Sequence, residues 1–171
     1  MKTLILGGAR SGKSRHAEYL AESSDARLHY VATAQALDQE MEDRINAHQA
    51  RRSNRWMLHE TPIHLSKTLD GVMSPGHLAV VDCLTLWITN CLIKQCWQEQ
   101  RKLLLDQFDT WAGDLILVSN ETGSGIVPSG ELTRSFVDES GFLHQELARR
   151  CDSVILTVAG IPIDIKSPTK S

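Results

Sequence analysis

The sequence predicts an α/β fold, a mostly parallel sheet with helices on both faces. Three observations predict it. Short aliphatic runs alternate with helical stretches along the chain. The runs are continuous rather than alternately apolar and polar, as strands buried on both faces are. The first of them passes through Gly7 and Gly8 straight into a helical pattern, a strand–turn–helix beginning.

The elements follow in order. Residues 3–6 are a short apolar run ending at the glycines, hence a buried strand. Residues 13–22 read as a helix, with Ala17 and Leu20 at helical spacing. Residues 28–32 are the next strand. Residues 38–52 form a polar helix whose apolar positions Met41 and Ile45 are one turn apart. A short strand is expected at 56–60 and a short helix at 63–69, closed by Asp70-Gly71. The dense run 78–81 ends at Asp82. Residues 84–108 are helical, in one or two pieces, and 115–119 are another buried strand. A glycine-containing loop spans 120–128. Residues 131–150 are mostly helix, with an interruption expected near Gly141. Residues 154–158 are the last strand, Gly160-Ile161-Pro162 a turn, and 166–171 a polar, frayed tail.

The 171 residues suit one domain with a sizeable core, assigned to 1–166 with 167–171 as its tail. Hydrophobic content of 42% and charged content of 23% are ordinary for a globular chain. The net charge of -3 argues against a phosphate-tracking nucleic-acid surface. No run approaches the ~20 apolar residues of a membrane span. Cys83, Cys91, Cys96 and Cys151 contain no C-x-x-C pair, which disfavours a zinc knuckle. They read as reduced thiols in a cytoplasmic protein. The start, Met1-Lys2-Thr3-Leu4, has no signal-peptide pattern. The four tryptophans are expected in the core rather than stacked on bases.

The chemistry begins at Gly7, Gly8, Ala9, Arg10, Ser11, Gly12, Lys13 and Ser14. They fit G-x-x-x-x-G-K followed by Ser or Thr in full, between a strand and a helix. Glycines let backbone N–H groups curl around an anion, and the helix start adds its positive end. Lys13 is placed to reach the β- and γ-phosphates of a nucleotide, and Ser14 to ligate Mg²⁺. The pattern therefore predicts a phosphate-loop (P-loop) NTPase. Asp82, ending a core strand, reads as the second carboxylate of such a site, holding the Mg²⁺ shell, or else as a helix N-cap or plain strand-end acid.

Arg44, His48 and Arg52 share a helix face at spacings of four. Two guanidiniums beside an imidazole make a poor metal site but a good phosphate site. They also disfavour protonation of His48, which would leave it neutral and nucleophilic, fit to form a phosphoramidate. The alternative is a solvated helix with an incidental histidine. Loop 120–128 follows a buried strand and so sits where open α/β sheets bind ligands, or it is a plain connection. His16, His29, His59, His64, His77 and His144 show no spacing logic and read as ordinary polar positions.

Together these segments resemble one family, the bifunctional adenosylcobinamide kinase / adenosylcobinamide-phosphate guanylyltransferases of cobalamin biosynthesis. The resemblance runs over residues 2–166. Its pieces are Gly7 through Arg15, Val31-Ala32-Thr33-Ala34, and the pattern E-M-x-x-R-I-x-x-H-x-x-x-R from Glu40 to Arg52. Trp56 with Glu60, Asp82 through Trp87 with Asn90, the 119–128 loop and Ala159-Gly160-Ile161-Pro162 complete it. It implies a RecA-type α/β fold, a homotrimer, ATP and GTP as substrates, Mg²⁺, and two reactions on a corrinoid. The implied nucleophile is His48. The implied nucleotide contacts are the phosphate loop, Ala32, Thr33, Ala34, Gln49, Ala50, Arg51, Arg52, Glu60 and Asp82. Val137 and His144 depart from the Arg and Asn common in the family. They fall outside the nucleotide motifs and bear on corrinoid or interface contacts. Two other readings remain: a P-loop small-molecule kinase without guanylyl transfer, and a non-catalytic nucleotide- or nucleic-acid-binding module.

Overall fold

The structure, a computed structural model, describes residues 1–35, 53–125 and 129–167. The predicted helix 38–52 and the end of the glycine loop lie outside those residues.

Seven strands form one sheet: β1 (Lys2–Gly7), β2 (Arg27–Ala32), β3 (Trp56–Glu60), β4 (His77–Asp82), β5 (Asp114–Asn120), β6 (Ser153–Val158) and β7 (Ile161–Lys166). Their order across the sheet is β3-β2-β4-β5-β1-β6-β7. All neighbours are parallel except the β6/β7 hairpin. The helices are α1 (Lys13–Glu22), α2 (Leu65–Val72), α3 (Leu84–Ile93), α4 (Trp97–Gln107) and α5 (Glu131–Arg150), with a 3-10 turn at Phe108–Thr110.

The aliphatic strands are continuous because each faces two cores. Leu4, Ala79, Val81, Leu115 and Leu117 point into the larger one, with Leu84, Trp87, Leu104, Leu143 and Leu147 of the covering helices. Their strand neighbours Ile5, Val80, Ile116 and Val118 point the other way, onto Ala17 and Ala21 of α1. The two alanines, fully buried, let α1 lie close to the sheet just after the phosphate loop. Trp87, Trp97 and Trp111 are buried and give their indole N–H groups to the Ile63 carbonyl, Glu139 and Asp70, each at 2.7 Å. Trp56 is half-buried and bonds Glu22 at 2.9 Å.

Four expectations need correction. Helix α5 runs unbroken through Gly141. A Cβ there would meet nothing within 4 Å, so Gly141 is a plain surface position. It costs about 1 kcal/mol relative to Ala, and the packing of Ser140, Leu143 and Leu147 outweighs that. Helix α2 likewise runs through Asp70-Gly71 to Val72. The expected turn at 160–162 is displaced. Ala159 and Gly160 make the turn, both at positive φ (51° and 81°), as two-residue hairpins require. Ile161 and Pro162 already belong to β7, where proline is tolerated because the strand is an edge. Lys166 is not frayed: its ammonium donates to the Ala148, Arg149 and Cys151 carbonyls and closes the end of α5.

The histidines carry order the sequence did not reveal. His29 on β2 lies between His59 on β3 and His77 on β4, each imidazole nitrogen 3.0 Å from the next ring. Burial first, then the neighbouring imidazoles and Arg27, press the His29 pKa down to about 4. The unfolded chain therefore binds an extra proton between pH ~6.5 and about 4, where folded His29 stays neutral. Stability is full above that window and declines as pH falls through it. Thermal melts from pH 7 to 4.5 should show the midpoint falling, and His29→Gln, which takes up no proton, should flatten the fall.

Candidate active site at the carboxyl edge of the sheet

Parallel pairing brings five strand ends to one edge. The register aligns Gly7 with Asn120, Val118 with Asp82, Asp82 with Ala32, and Ala32 with Glu60. At about 4.8 Å per strand, Glu60 lies roughly 19 Å along the edge from Gly7. The predicted contacts on β1, β2, β3 and β4 therefore stand in one row. His48, Gln49, Ala50, Arg51 and Arg52, with Arg44, lie outside the described residues. Their segment joins the end of β2, on this edge, to β3.

The phosphate loop is built by close approach. A Cβ on Gly7 (φ +156°) would stand 2.4 Å from the Thr157 carbonyl and 2.6 Å from Ser11 Oγ. One on Gly12 (φ +98°) would stand 3.2 Å from Gly160 Cα. The β6–β7 turn backs the loop, with the Gly160 N–H donating to the Ser11 carbonyl at 2.9 Å. Gly7→Ala should thus lower stability by about 1–3 kcal/mol and weaken nucleotide binding. Gly8→Ala, where nothing lies within 4 Å, should leave the melting temperature unchanged. Chemical denaturation and nucleotide titration check both.

Lys13 is buried and its ammonium donates to the Gly8 carbonyl at 2.6 Å, folded over the crown of its own loop. Burial lowers its pKa, while Cys83 and Asp82 oppose the drop. Asp82 accepts a hydrogen bond from the Tyr30 hydroxyl at 2.6 Å. Cys83, not Asp82, occupies the N-cap of α3, so the N-cap reading of Asp82 does not hold. Burial pushes the Cys83 thiol up to about 11, so it is protonated. Thr33 is fully buried, and its hydroxyl is committed to the Cys83 backbone, donating to the carbonyl at 2.7 Å and accepting from the N–H at 2.9 Å. It joins the β2 end to α3 and leaves Ala32 and Ala34, half-buried on either side, as the accessible positions. Glu60 is exposed at the end of β3.

The Ser14 hydroxyl and the Asp82 carboxylate are hard oxygen donors. Among the described residues no cluster of three or more His, Cys, Asp or Glu forms a metal cage. That donor set fits Mg²⁺, which takes one or two protein oxygens and completes its shell with water and phosphate.

Sequence reading placed the 119–128 loop at this edge but missed the side chains that hold its start at the tip of β5. The His144 imidazole Nε2 lies 2.8 Å from the fully buried Ser119 Oγ, and Ser119 Oγ lies 3.3 Å from Thr85 Oγ1. Thr85 Oγ1 accepts from the Asn120 N–H at 2.7 Å, and the Glu121 N–H donates to the Gly7 carbonyl at 3.0 Å. His144 therefore reaches the nucleotide edge rather than an outer surface. Val137, on α5, is half-buried.

Comparison with known proteins decides the family. Residues 3–165 match the model of the cobinamide kinase / cobinamide phosphate guanyltransferase family. The chain belongs to this family. It is 52% identical over 169 residues to a bifunctional adenosylcobalamin biosynthesis protein, CobP, of Pseudomonas aeruginosa, covering 97% of this chain and 98% of that one. It is 36% identical to the bifunctional adenosylcobalamin biosynthesis protein CobU of Escherichia coli, covering 97% and 100%. The fold is shared more widely. A Pyrococcus horikoshii protein superposes with a TM-score of 0.57 at 11% identity, covering 99% of this chain and 87% of that one. The flagellar accessory protein FlaH of Methanocaldococcus jannaschii superposes with a TM-score of 0.51 at 12% identity, covering 98% and 78%. The α/β, mostly parallel, P-loop NTPase architecture expected from the sequence is the one found. Among the described residues no helix is long and apolar enough to cross a membrane.

Proposed function

We propose that this chain phosphorylates adenosylcobinamide and then guanylylates the product. In the first step the hydroxyl oxygen of the aminopropanol arm attacks the γ-phosphorus of ATP or GTP, and the nucleoside diphosphate leaves. In the second, a nitrogen of His48 attacks the α-phosphorus of GTP and pyrophosphate leaves. The phosphate of adenosylcobinamide phosphate then attacks the histidine-bound phosphorus, giving adenosyl-GDP-cobinamide and freeing His48.

The observation that carries this reading is the row of strand ends, phosphate loop at one side and Glu60 at the other, within a chain of this family. The loop backbone and Lys13 hold the β- and γ-phosphates, and Gln49, Ala50, Arg51, Arg52, Ala32, Ala34 and Glu60 take the rest of the nucleotide. Ser14 and Asp82 hold Mg²⁺, which neutralises charge developing on the phosphate oxygens. The span between Gly7 and Glu60 gives the two reactions room to place nucleotide differently along one edge. We place the protein in the cytoplasm, acting as a homotrimer. The exposed aliphatic row Ile161, Ile163 and Ile165 on β7, exposed by 63%, 48% and 60%, is the kind of surface such an assembly covers.

The test uses GTP labelled in the α-phosphate. Incubated with Mg²⁺ and denatured, the protein should retain label as an acid-labile, base-stable adduct. If folded, nucleotide-binding protein retains none, the guanylyl half is wrong and a P-loop kinase remains.

A further inference from the structure

The network under the β5 tip joins a backbone N–H, two hydroxyls and an imidazole. The Asn120 N–H gives its proton to Thr85 Oγ1 at 2.7 Å. Thr85 Oγ1, accepting from Asn120, keeps its own proton, which can go to Ser119 Oγ at 3.3 Å, and Ser119 then has its proton for His144 Nε2 at 2.8 Å. Every donor then meets an acceptor, provided that Nε2 is bare and the ring proton sits on Nδ1. Burial favours this neutral ring, holding the His144 pKa near 4 against the opposing pull of Glu121.

The ends of this chain touch the phosphate loop. Asn120 pairs with Gly7 in the β1/β5 register, and the Glu121 N–H binds the Gly7 carbonyl at 3.0 Å. From α5, His144 is thus linked through the buried Ser119 hydroxyl and the half-buried Thr85 hydroxyl to the strand end beside the phosphate loop. The geometry points to His144 as a positioning residue for phosphoryl transfer: its imidazole, accepting from Ser119, fixes the β5 tip and with it Asn120 and Glu121 against the phosphate loop. This rests on the kinase reading above. An asparagine at the position keeps an amide oxygen able to accept from Ser119, and a leucine keeps only the volume. With leucine, the Ser119 hydroxyl is a buried donor without its acceptor, and the strand end is free to shift.

The experiment compares His144→Leu, His144→Asn and Ser119→Ala with wild type, measuring phosphoryl-transfer kcat and nucleotide Kd separately. His144→Leu should lose about tenfold in kcat, the scale of a small misplacement near the reacting atoms, with Kd within about twofold. His144→Asn should recover most of the loss. Ser119→Ala should reproduce it, and the His144→Leu/Ser119→Ala pair should add little more. Imidazole ¹⁵N NMR of the wild type should show Nδ1 protonated and Nε2 bare. Wild-type kcat in His144→Leu, an asparagine variant no better than the leucine one, or a protonated Nε2 each overturns the proposal. The NMR result decides it if the leucine variant does not fold. A wild type that transfers no phosphoryl group would instead overturn the kinase reading, and the positioning role with it.

Discussion

Lys13→Ala should lower phosphoryl transfer by about 10²–10³-fold in kcat, some 2.7–4 kcal/mol of transition-state stabilisation. The side chain is already buried at the loop, so little ordering remains when nucleotide binds. Its present partner is the Gly8 carbonyl at 2.6 Å, a neutral acceptor that a phosphate oxygen replaces with a charged one. Asp82 beside it helps keep the ammonium charged against burial. Charge on the transferring phosphoryl oxygens then meets a fixed cation, which water cannot replace at the same cost of reorganisation. The fold should survive, because the lost hydrogen bond is worth only about 1 kcal/mol. Lys13→Arg should not restore the rate, since a planar guanidinium does not fit a loop shaped around a compact ammonium. Single-turnover kinetics at saturating nucleotide, with a thermal melt beside each variant, separate the two effects. A Lys13→Ala enzyme within a few-fold of wild type would remove the loop lysine from the mechanism.

The parts of this site that were legible in sequence are those in which local chemistry and position coincide. Gly7, Gly12 and Lys13 are demanded by the backbone path and the anion, and they lie within one turn of chain. The strands were legible because burial on two faces leaves only aliphatic residues, as at Leu78-Ala79-Val80-Val81. What one sequence does not carry is which strand lies beside which. β5 inserts between β1 and β4, which puts Ser119 and Asn120 next to Gly7, and the separate β2/β4 pairing brings Tyr30 to Asp82. The same gap hid the His29, His59 and His77 chain, whose members lie on three adjacent strands but 48 positions apart from first to last. His144 looked incidental because its partner lies 25 positions away on another element. Gly141 misled in the opposite direction: a local helix-breaking signal was overridden by the packing of the rest of α5.

His48→Ala should abolish covalent attachment of GMP while leaving phosphoryl transfer from ATP near the wild-type rate. The two reactions attack different phosphorus atoms, and only the one at the α-phosphorus needs a protein nucleophile. In the proposed mechanism the kinase step uses the phosphate loop, Lys13 and the Ser14 and Asp82 oxygens, which lie at β1, α1 and β4. His48 belongs to none of those elements, so its replacement removes none of those groups. Arg44 and Arg52, at spacings of four from His48, should behave differently from it. Removing either cation should slow adduct formation without abolishing it, because a guanidinium stabilises the transferring phosphate but forms no bond to it. Mass spectrometry of the denatured protein after GTP, with ATP-dependent phosphorylation of adenosylcobinamide measured in parallel, reads both halves. Loss of both activities in a folded His48→Ala protein would mean that the two reactions share this histidine, and the division of labour along the edge would have to be abandoned. Retention of the adduct would move the nucleophile to another residue.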